Sequence, residues 1–302
     1  MGHSHGFKWA PHKGELLDLL SNGHSHQEIA DILSKGSGYD LTFDAVSQAV
    51  RRYKFSSKFI KREDELGIYK ELTIPDGDYI IGCDAHAPYY SAVMVNRMLA
   101  IADKFKIKKH IHAGDLLDLD FAKKFYDDEQ NTLDREVFGT DPLINALDYF
   151  EKIYLIRGNH EKRIGISTDN KVQARHLLGI FGKDVWTNKF RYTTFDKIMI
   201  GKDWMAVHPK SYSQIGGNVA VRLAEKYHRH VLNAHGHFIA LRYDRSGKHM
   251  GIDLGGLFDV RKVKYITETT TTHPAWNSGF GAIVDGHFFH FHENTNWRYW
   301  LG

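Results

Sequence analysis

Cysteine is almost missing: Cys83 is the single one in 302 residues, so no disulfide forms within the chain and a reducing compartment fits. Prolines are few, six in all and well spread, and no low-complexity tract or solenoid-type repeat accompanies them. No run reaches the roughly 18 apolar residues of a membrane span, so no membrane association is expected. The opening Met-Gly-His-Ser-His lacks the apolar core of a signal peptide, which makes a cytoplasmic protein the expectation. Charge of one sign is not in large excess either. A net +3 does not demand an anionic partner, and any nucleic-acid argument must be local. What remains is ordinary globular composition, with length for one sizeable domain and a small one.

Histidine is the exception, with twenty in the chain. The question is which of them fall at spacings that chemistry requires. The Gly-His-Ser-His pairs at 2–5 and 23–26 have no evident partner and suit adventitious metal pick-up.

Residues 1–62 read as a small all-α unit. Leu16, Leu17 and Leu20 set a first helix that stops at Asn22-Gly23. Ser25 and Glu28 form a capping box ahead of Ile29, Ile32 and Leu33. Gly36-Ser37-Gly38 predicts a turn. Thr42 or Asp44 caps a third helix with Val46, Ala49, Val50 and Tyr53 on one face. This pattern predicts a helix-turn-helix unit. Arg51, Arg52, Lys54, Lys58, Lys61 and Arg62 follow without an acidic residue among them. At the end of a recognition helix such a run suits phosphate contacts, and Arg51, Arg52, Lys54 and Lys58 are the candidate DNA-binding residues. A solvated linker is the competing reading.

Residues 63–77 read as a linker, and 78–302 as one α/β domain. Strands are predicted at 79–83, 109–112 and 153–156, with a helix at 92–104 and a polar insertion and helix across 119–150. Beyond about residue 190 the chain turns strand-rich, at 197–200, 204–207, 231–233, 238–243 and 282–291. Thr269 to Thr272 suit a strand edge or loop. His228 and His230 fall in a predicted helix.

Polar clusters stand directly after these strands: Asp84-Ala85-His86, Gly114-Asp115-Leu116-Leu117-Asp118, Gly158-Asn159-His160-Glu161, His208, and His235-Gly236-His237. In α/β sheets, ligands bind outside the carboxyl ends of strands. Asp and His suit manganese, iron and zinc. One carboxylate can bridge two such ions, and an ion pair can hold a phosphate and activate a water for in-line attack. Alone, each motif is weak; as an ordered set they are specific.

The set resembles the signature of the calcineurin-like metallophosphoesterase superfamily, over about residues 78 to 237. The resemblance implies a β-sandwich flanked by helices, beside the N-terminal helix-turn-helix domain. It implies two divalent ions, manganese favoured, with iron or zinc as alternatives. Asp84, His86 and His237 would hold the first, Asn159, His208 and His235 the second, and Asp115 would bridge. His160 would be catalytic beside the phosphate, with Asp118 orienting it. Arg157 and Arg163 would either contact phosphate oxygens or stand on the surface. Two departures are visible: Pro209 follows His208 where the family has glycine, and Ala234 precedes His235. Neither removes a ligand.

The Leu155–Glu161 segment is also similar to the Ser/Thr protein phosphatase signature. Those enzymes carry arginine after the second aspartate of Gly-Asp-x-x-Asp, where this chain has Leu119, and they lack a counterpart of His237. Both points favour phosphodiesterases and nucleases, and the whole arrangement resembles phage-encoded members. The expectation is therefore a metal-dependent phosphodiesterase or nuclease acting on DNA. The alternatives are a phosphomonoesterase or small-nucleotide hydrolase, and a non-catalytic DNA-binding protein. In the tail, His290 and His292 would share one strand face, more in keeping with an ordinary surface than with another metal site. Trp276, Trp297, Tyr299 and Trp300 are expected to pack the tail on the core, with base stacking by an exposed subset as the alternative.

Overall fold

The computed structural model describes residues 6–22, 24–53, 71–122, 132–180, 189–262 and 276–302. Two compact units emerge, Met1–Leu66 and Gly67–Gly302.

The first unit holds α1 (Lys13–Ser21), α2 (His26–Ser37) and α3 (Phe43–Arg52). Helices this short are marginal alone, so a shared core must hold them. Leu16, Ile29, Ala30, Leu33, Leu41, Val46, Ala49 and Val50 supply it. The Ser25 hydroxyl accepts the Glu28 N–H at 3.2 Å, and the Glu28 carboxylate accepts the Ser25 N–H at 2.7 Å. Helix α2 runs through Gly36 and Ser37, which were expected to turn. Gly38 alone makes the stop, with a left-handed φ of +74°. Thr42 caps α3 through the Ala45 N–H. Arg51 and Arg52 end α3 and are exposed. Lys54, Lys58, Lys61 and Arg62 lie outside the described residues, as do Thr269–Thr272 and residues 2–5.

The second unit is an α/β sandwich of two six-stranded mixed sheets. Its strands are β1 (Leu72–Ile74), β2 (Tyr79–Gly82), β3 (Lys109–His112), β4 (Lys152–Ile156), β5 (Phe190–Thr193), β6 (Lys197–Ile200), β7 (Trp204–Val207), β8 (His230–Asn233), β9 (Ile239–Tyr243), β10 (Met250–Leu254), β11 (Gly279–Val284) and β12 (His287–His292). One sheet runs β1-β6-β7-β8-β10-β9 and the other β12-β11-β2-β3-β4-β5. Strand period two explains the core. Tyr79, Ile81, Cys83, Ile111, Ala113, Tyr154 and Ile156 of one sheet meet Ile198, Ile200, Trp204, Ala206, Leu232, Ala234, Ile252 and Leu254 of the other. The helices are α4 (Ala92–Lys104), α5 (Leu133–Ala146), α6 (Glu161–Ser167), α7 (Ala174–Ile180), α8 (Asn218–Tyr227) and α9 (Trp297–Leu301). Met205, Val207 and Val231 pack against Ala224 of α8.

Several expectations need correction. Leu72–Ile74, expected in the linker, is an edge strand paired in parallel with β6. The single strand expected over 282–291 belongs to a hairpin, β11 and β12, turning at Asp285-Gly286 with both φ positive. Asp-Gly is a hairpin signal that the surrounding run of apolar and His residues obscured. His228 ends α8 in a left-handed conformation, and His230 opens β8. No helix among the described residues is long and apolar enough to cross a membrane.

Candidate metal centre

Parallel β2, β3 and β4 end side by side, so the loops that follow them emerge together. The Asp84 N–H donates to the Gly114 carbonyl at 3.0 Å and the His86 N–H to the Asp115 carbonyl at 3.0 Å, which stitches the first two loops. Parallel β7 and β8 of the facing sheet deliver His208 and the 235–237 loop to the same place. His235 N–H donates to Asp84 Oδ2 at 3.1 Å, across the two sheets.

Three groups of candidate ligand atoms result, one of them His86, Asp118 and His160. Asp84, His86 and His237 bring one ligand atom each to within 4.8 Å of one another, and so do Asp115, His208 and His235. Asn159 joins the His208 group through Oδ1, 2.9 Å from His208 Nε2. Asp115 Oδ2 lies 3.3 Å from His208 Nε2. The seven residues expected to form a cage therefore lie near one another, Asp115 in one group with His208 and His235.

The donor set fits divalent cations, for a reason visible in the contacts. His208 Nδ1 is 2.9 Å from the Ala113 carbonyl and must carry a proton to donate there. In the neutral ring, Nε2 then turns its lone pair on two oxygens, Asn159 Oδ1 and Asp115 Oδ2. His86 Nε2 and His237 Nε2 face each other at 3.3 Å, where at most one lone pair can be satisfied by a hydrogen bond. Asp115 Oδ2 and His237 Nδ1 are buried without a hydrogen-bond partner. Inward-facing lone pairs in a buried site need positive charge among them. In the bare protein, protons supply it. Burial opposes protonation of His208, but Asp115 and Asp84 outweigh it and push the imidazole up to about 9. Asp84 resists burial and stays well below the usual carboxylate range beside His237 and His208.

His160 sits at the start of α6 and is buried. Its Nδ1 is 2.9 Å from Asp118 Oδ1 and 3.0 Å from the Asp118 carbonyl. Asp118 Oδ1 is also 2.9 Å from His86 Nδ1, so one carboxylate orients both rings. Arg163 bonds to this pair. Its guanidinium donates to the Asp118 carbonyl at 2.6 Å, to Asp120 at 3.3 Å and to His160 Nε2 at 2.8 Å. A donor at Nε2 requires the neutral ring with its proton on Nδ1. Burial, the largest influence, pushes His160 below its ordinary value, in the same sense. Arg157 donates Nη2 to the Thr194 carbonyl at 3.1 Å and keeps a buried, unpartnered Nε.

Sequence reasoning quoted Glu161 without giving it work. Its buried carboxylate accepts the N–H groups of Asp115 (3.0 Å), Leu117 (3.0 Å) and Gly158 (2.8 Å). It thus joins the loop that carries Asp115 to the loop that carries Asn159. Burial and the neighbouring Asp115 push it up to about 7, against the pull of those N–H groups. Gly158 is required there: a Cβ would lie 2.0 Å from Asp115 Oδ1. Asp84, His86, Asp115, His235 and His237 all have φ between +46° and +69°. Asp and His tolerate this left-handed region better than most residues, at a cost of about 1–3 kcal/mol each. Phe258 packs on both His86 and His237, and Trp276 on His237, with ring centroids at 5.6, 4.6 and 4.5 Å.

Two further histidines lie in the core of the sheet. His110 and His112 are buried on β3 without hydrogen-bond partners, and burial pushes His112 down to about 4. His290 points Nε2 at the Leu254 carbonyl at 3.4 Å, and the tail histidines form no ligand group among the described residues.

No protein-family model matches the chain, and no curated protein matches it. Among solved structures, the chain is similar to YfcE, a phosphoesterase from E. coli, at 12% identity and a TM-score of 0.34, over 69% of this chain and 88% of that one. It is similar to vacuolar protein sorting 29 from Cryptosporidium parvum, at 12% identity and a TM-score of 0.35, over 72% and 96%. A single mutant of Vps29 from Entamoeba histolytica aligns at 12% identity and a TM-score of 0.34, over 72% and 99%. Likenesses this distant leave the chemistry to the cage itself.

Proposed function

We propose that the protein is a two-metal phosphodiesterase that cleaves DNA. The observation that carries the proposal is the gathering of Asp84, His86 and His237 beside Asp115, His208 and His235, with Asp115 Oδ2 and His237 Nδ1 buried and unpartnered. Asp84, His86 and His237 would hold one ion, and Asn159, His208 and His235 the other, with Asp115 between. Bound there, the ions would neutralise phosphate charge and supply a water nucleophile at neutral pH. The chain's own part is to place and move protons. His160 is the general acid for the departing oxygen, aimed by Asp118 from one side. Arg163 must release Nε2 for the ring to accept and pass on a proton at that atom. Phe258 and Trp276 keep bulk water from the outer side of His86 and His237. Arg157 offers its free Nε–H to a phosphate oxygen.

The DNA assignment is supported by the α2–α3 pair, joined through residues 38–42, and by exposed Arg51 and Arg52 at the end of α3. The test is a plasmid-nicking assay beside hydrolysis of bis(p-nitrophenyl) phosphate and p-nitrophenyl phosphate, with chelated protein reloaded with manganese, iron or zinc. Nicking with diester preference supports the proposal. Monoester preference without nicking would assign a phosphatase, and no metal-dependent turnover would leave only DNA binding.

A further inference from the structure

A cavity of about 620 Å³ opens beside the start of α4, within the size range of small-ligand sites. Trp276 lines it, its ring T-shaped to that of His237 with centroids 4.5 Å apart, so the cavity adjoins the candidate cage through one indole. Trp276 Nε1 is buried without a hydrogen-bond partner. The lining also holds three cations, Arg97, Arg261 and Lys262, and two carboxylates, Asp259 and Glu293, the latter accepting from Asn277 Nδ2 at 3.3 Å. Arg97 is half-buried; its described contact is the face of Trp297, 4.5 Å away, and no described carboxylate pairs with it. Lys262 is spent partly on the Tyr90 carbonyl at 3.1 Å. Arg261 is already neutralised by Asp259, with two bonds of 2.9 Å. The first turn of α4, a helix of 13 residues, also lines the cavity. Ser91 caps Met94, while the N–H groups of Ala92 and Val93, which also line the cavity, have no acceptor among the described residues. An aromatic wall next to the cage and an unpaired guanidinium beside free N–H groups ask for a ligand with a π face and a phosphate.

We propose that this cavity is a subsite for a nucleoside phosphate unit of the substrate, its base against Trp276 and its phosphate against Arg97 and the start of α4. The proposal rests on the phosphodiesterase reading and deepens it by assigning this cavity to the nucleotide that neighbours the ester cleaved at the cage.

The test is equilibrium dialysis of adenosine 5′-monophosphate against the full-length protein in excess EDTA, so that neither metal nor turnover enters the readout. The monophosphate should bind saturably, and ribose 5-phosphate several-fold more weakly. Trp276→Ala should weaken adenosine 5′-monophosphate roughly 5- to 150-fold, the usual range for a lost base stack. Trp276→Phe should restore most of that and controls for folding. Arg97→Ala should weaken the monophosphate about tenfold and leave adenosine unchanged. Absence of binding to the wild type, or equal binding by wild type, Trp276→Ala and Arg97→Ala, overturns the subsite. Hydrolysis of bis(p-nitrophenyl) phosphate by the reloaded wild type judges the phosphodiesterase reading separately. Nucleotide binding without that turnover sinks the reading and keeps the subsite; turnover without nucleotide binding does the reverse.

Discussion

Glu161→Gln is the sharpest probe of how the cage is held. The side chain keeps its shape, but one acceptor oxygen becomes a two-proton donor. If the amide oxygen stays with the Asp115 and Gly158 N–H groups, the new NH₂ faces the Leu117 N–H, a donor against a donor. One buried N–H then loses its partner, which costs about 1–3 kcal/mol. The opposite flip strands two. In a domain of this size, that loss lowers Tm by roughly 2–12 °C. The second effect is on the ions, because Glu161 fixes the backbone under Asp115. Loss of such an outer partner weakens metal affinity by about 10–100-fold. Differential scanning calorimetry with EDTA reads the first effect, and competition for manganese against a fluorescent chelator reads the second. A variant that melts with the wild type and loads metal equally well would show that the 113–118 and 157–161 loops are held by something else.

Three further outcomes are expected. His160→Ala should keep its metal content by elemental analysis and lose about 10²–10⁴ in turnover, the range for a lost general acid; full turnover would remove His160 from the chemistry. Burial raises Glu136 to about 8, with Asp118 and Asp120 adding to it, and its Oε1 accepts the Leu119 N–H at 2.6 Å. A carboxyl raised in the folded state stabilises fully below its unfolded value near 4.5, and that contribution is lost as pH rises through 8. Glu136→Gln keeps the acceptor and does not titrate. It should therefore gain on the wild type in thermal melts from pH 5 to pH 8, and a constant difference would deny the raised value. Arg51→Ala with Arg52→Ala should weaken duplex DNA binding and flatten its salt dependence by about one to two phosphate contacts, with simple diester hydrolysis unchanged.

The sequence made the α/β layers legible because strand period two and apolar runs mark them directly. Lys109–His112, Lys197–Ile200 and Trp204–Val207 fall where the pattern puts them. The cage residues were legible for a different reason. Each follows a strand end, and parallel neighbours must deliver their loops to one edge. Leu72–Ile74 was not legible, since three residues carry no periodicity and only pairing with β6 makes them a strand. Trp276 and Phe258 carry no sequence signal for lying against the His86 and His237 rings. Arg163 looked free to meet phosphate because its i, i+3 relation to His160 on a helix start is visible only once the helix is placed.

The left-handed corners under Asp84, His86, Asp115, His235 and His237 set fold and activity against each other. Glycine at Asp84 or Asp115 would relax the backbone but strand the N–H of His235 or of His160, so those two corners are locked by their own hydrogen bonds. Among the described residues, His235 carries no such bond through its ring to the backbone, and there glycine would trade a candidate donor for an easier turn. Anyone hardening the protein by screening for heat resistance alone should watch that position first.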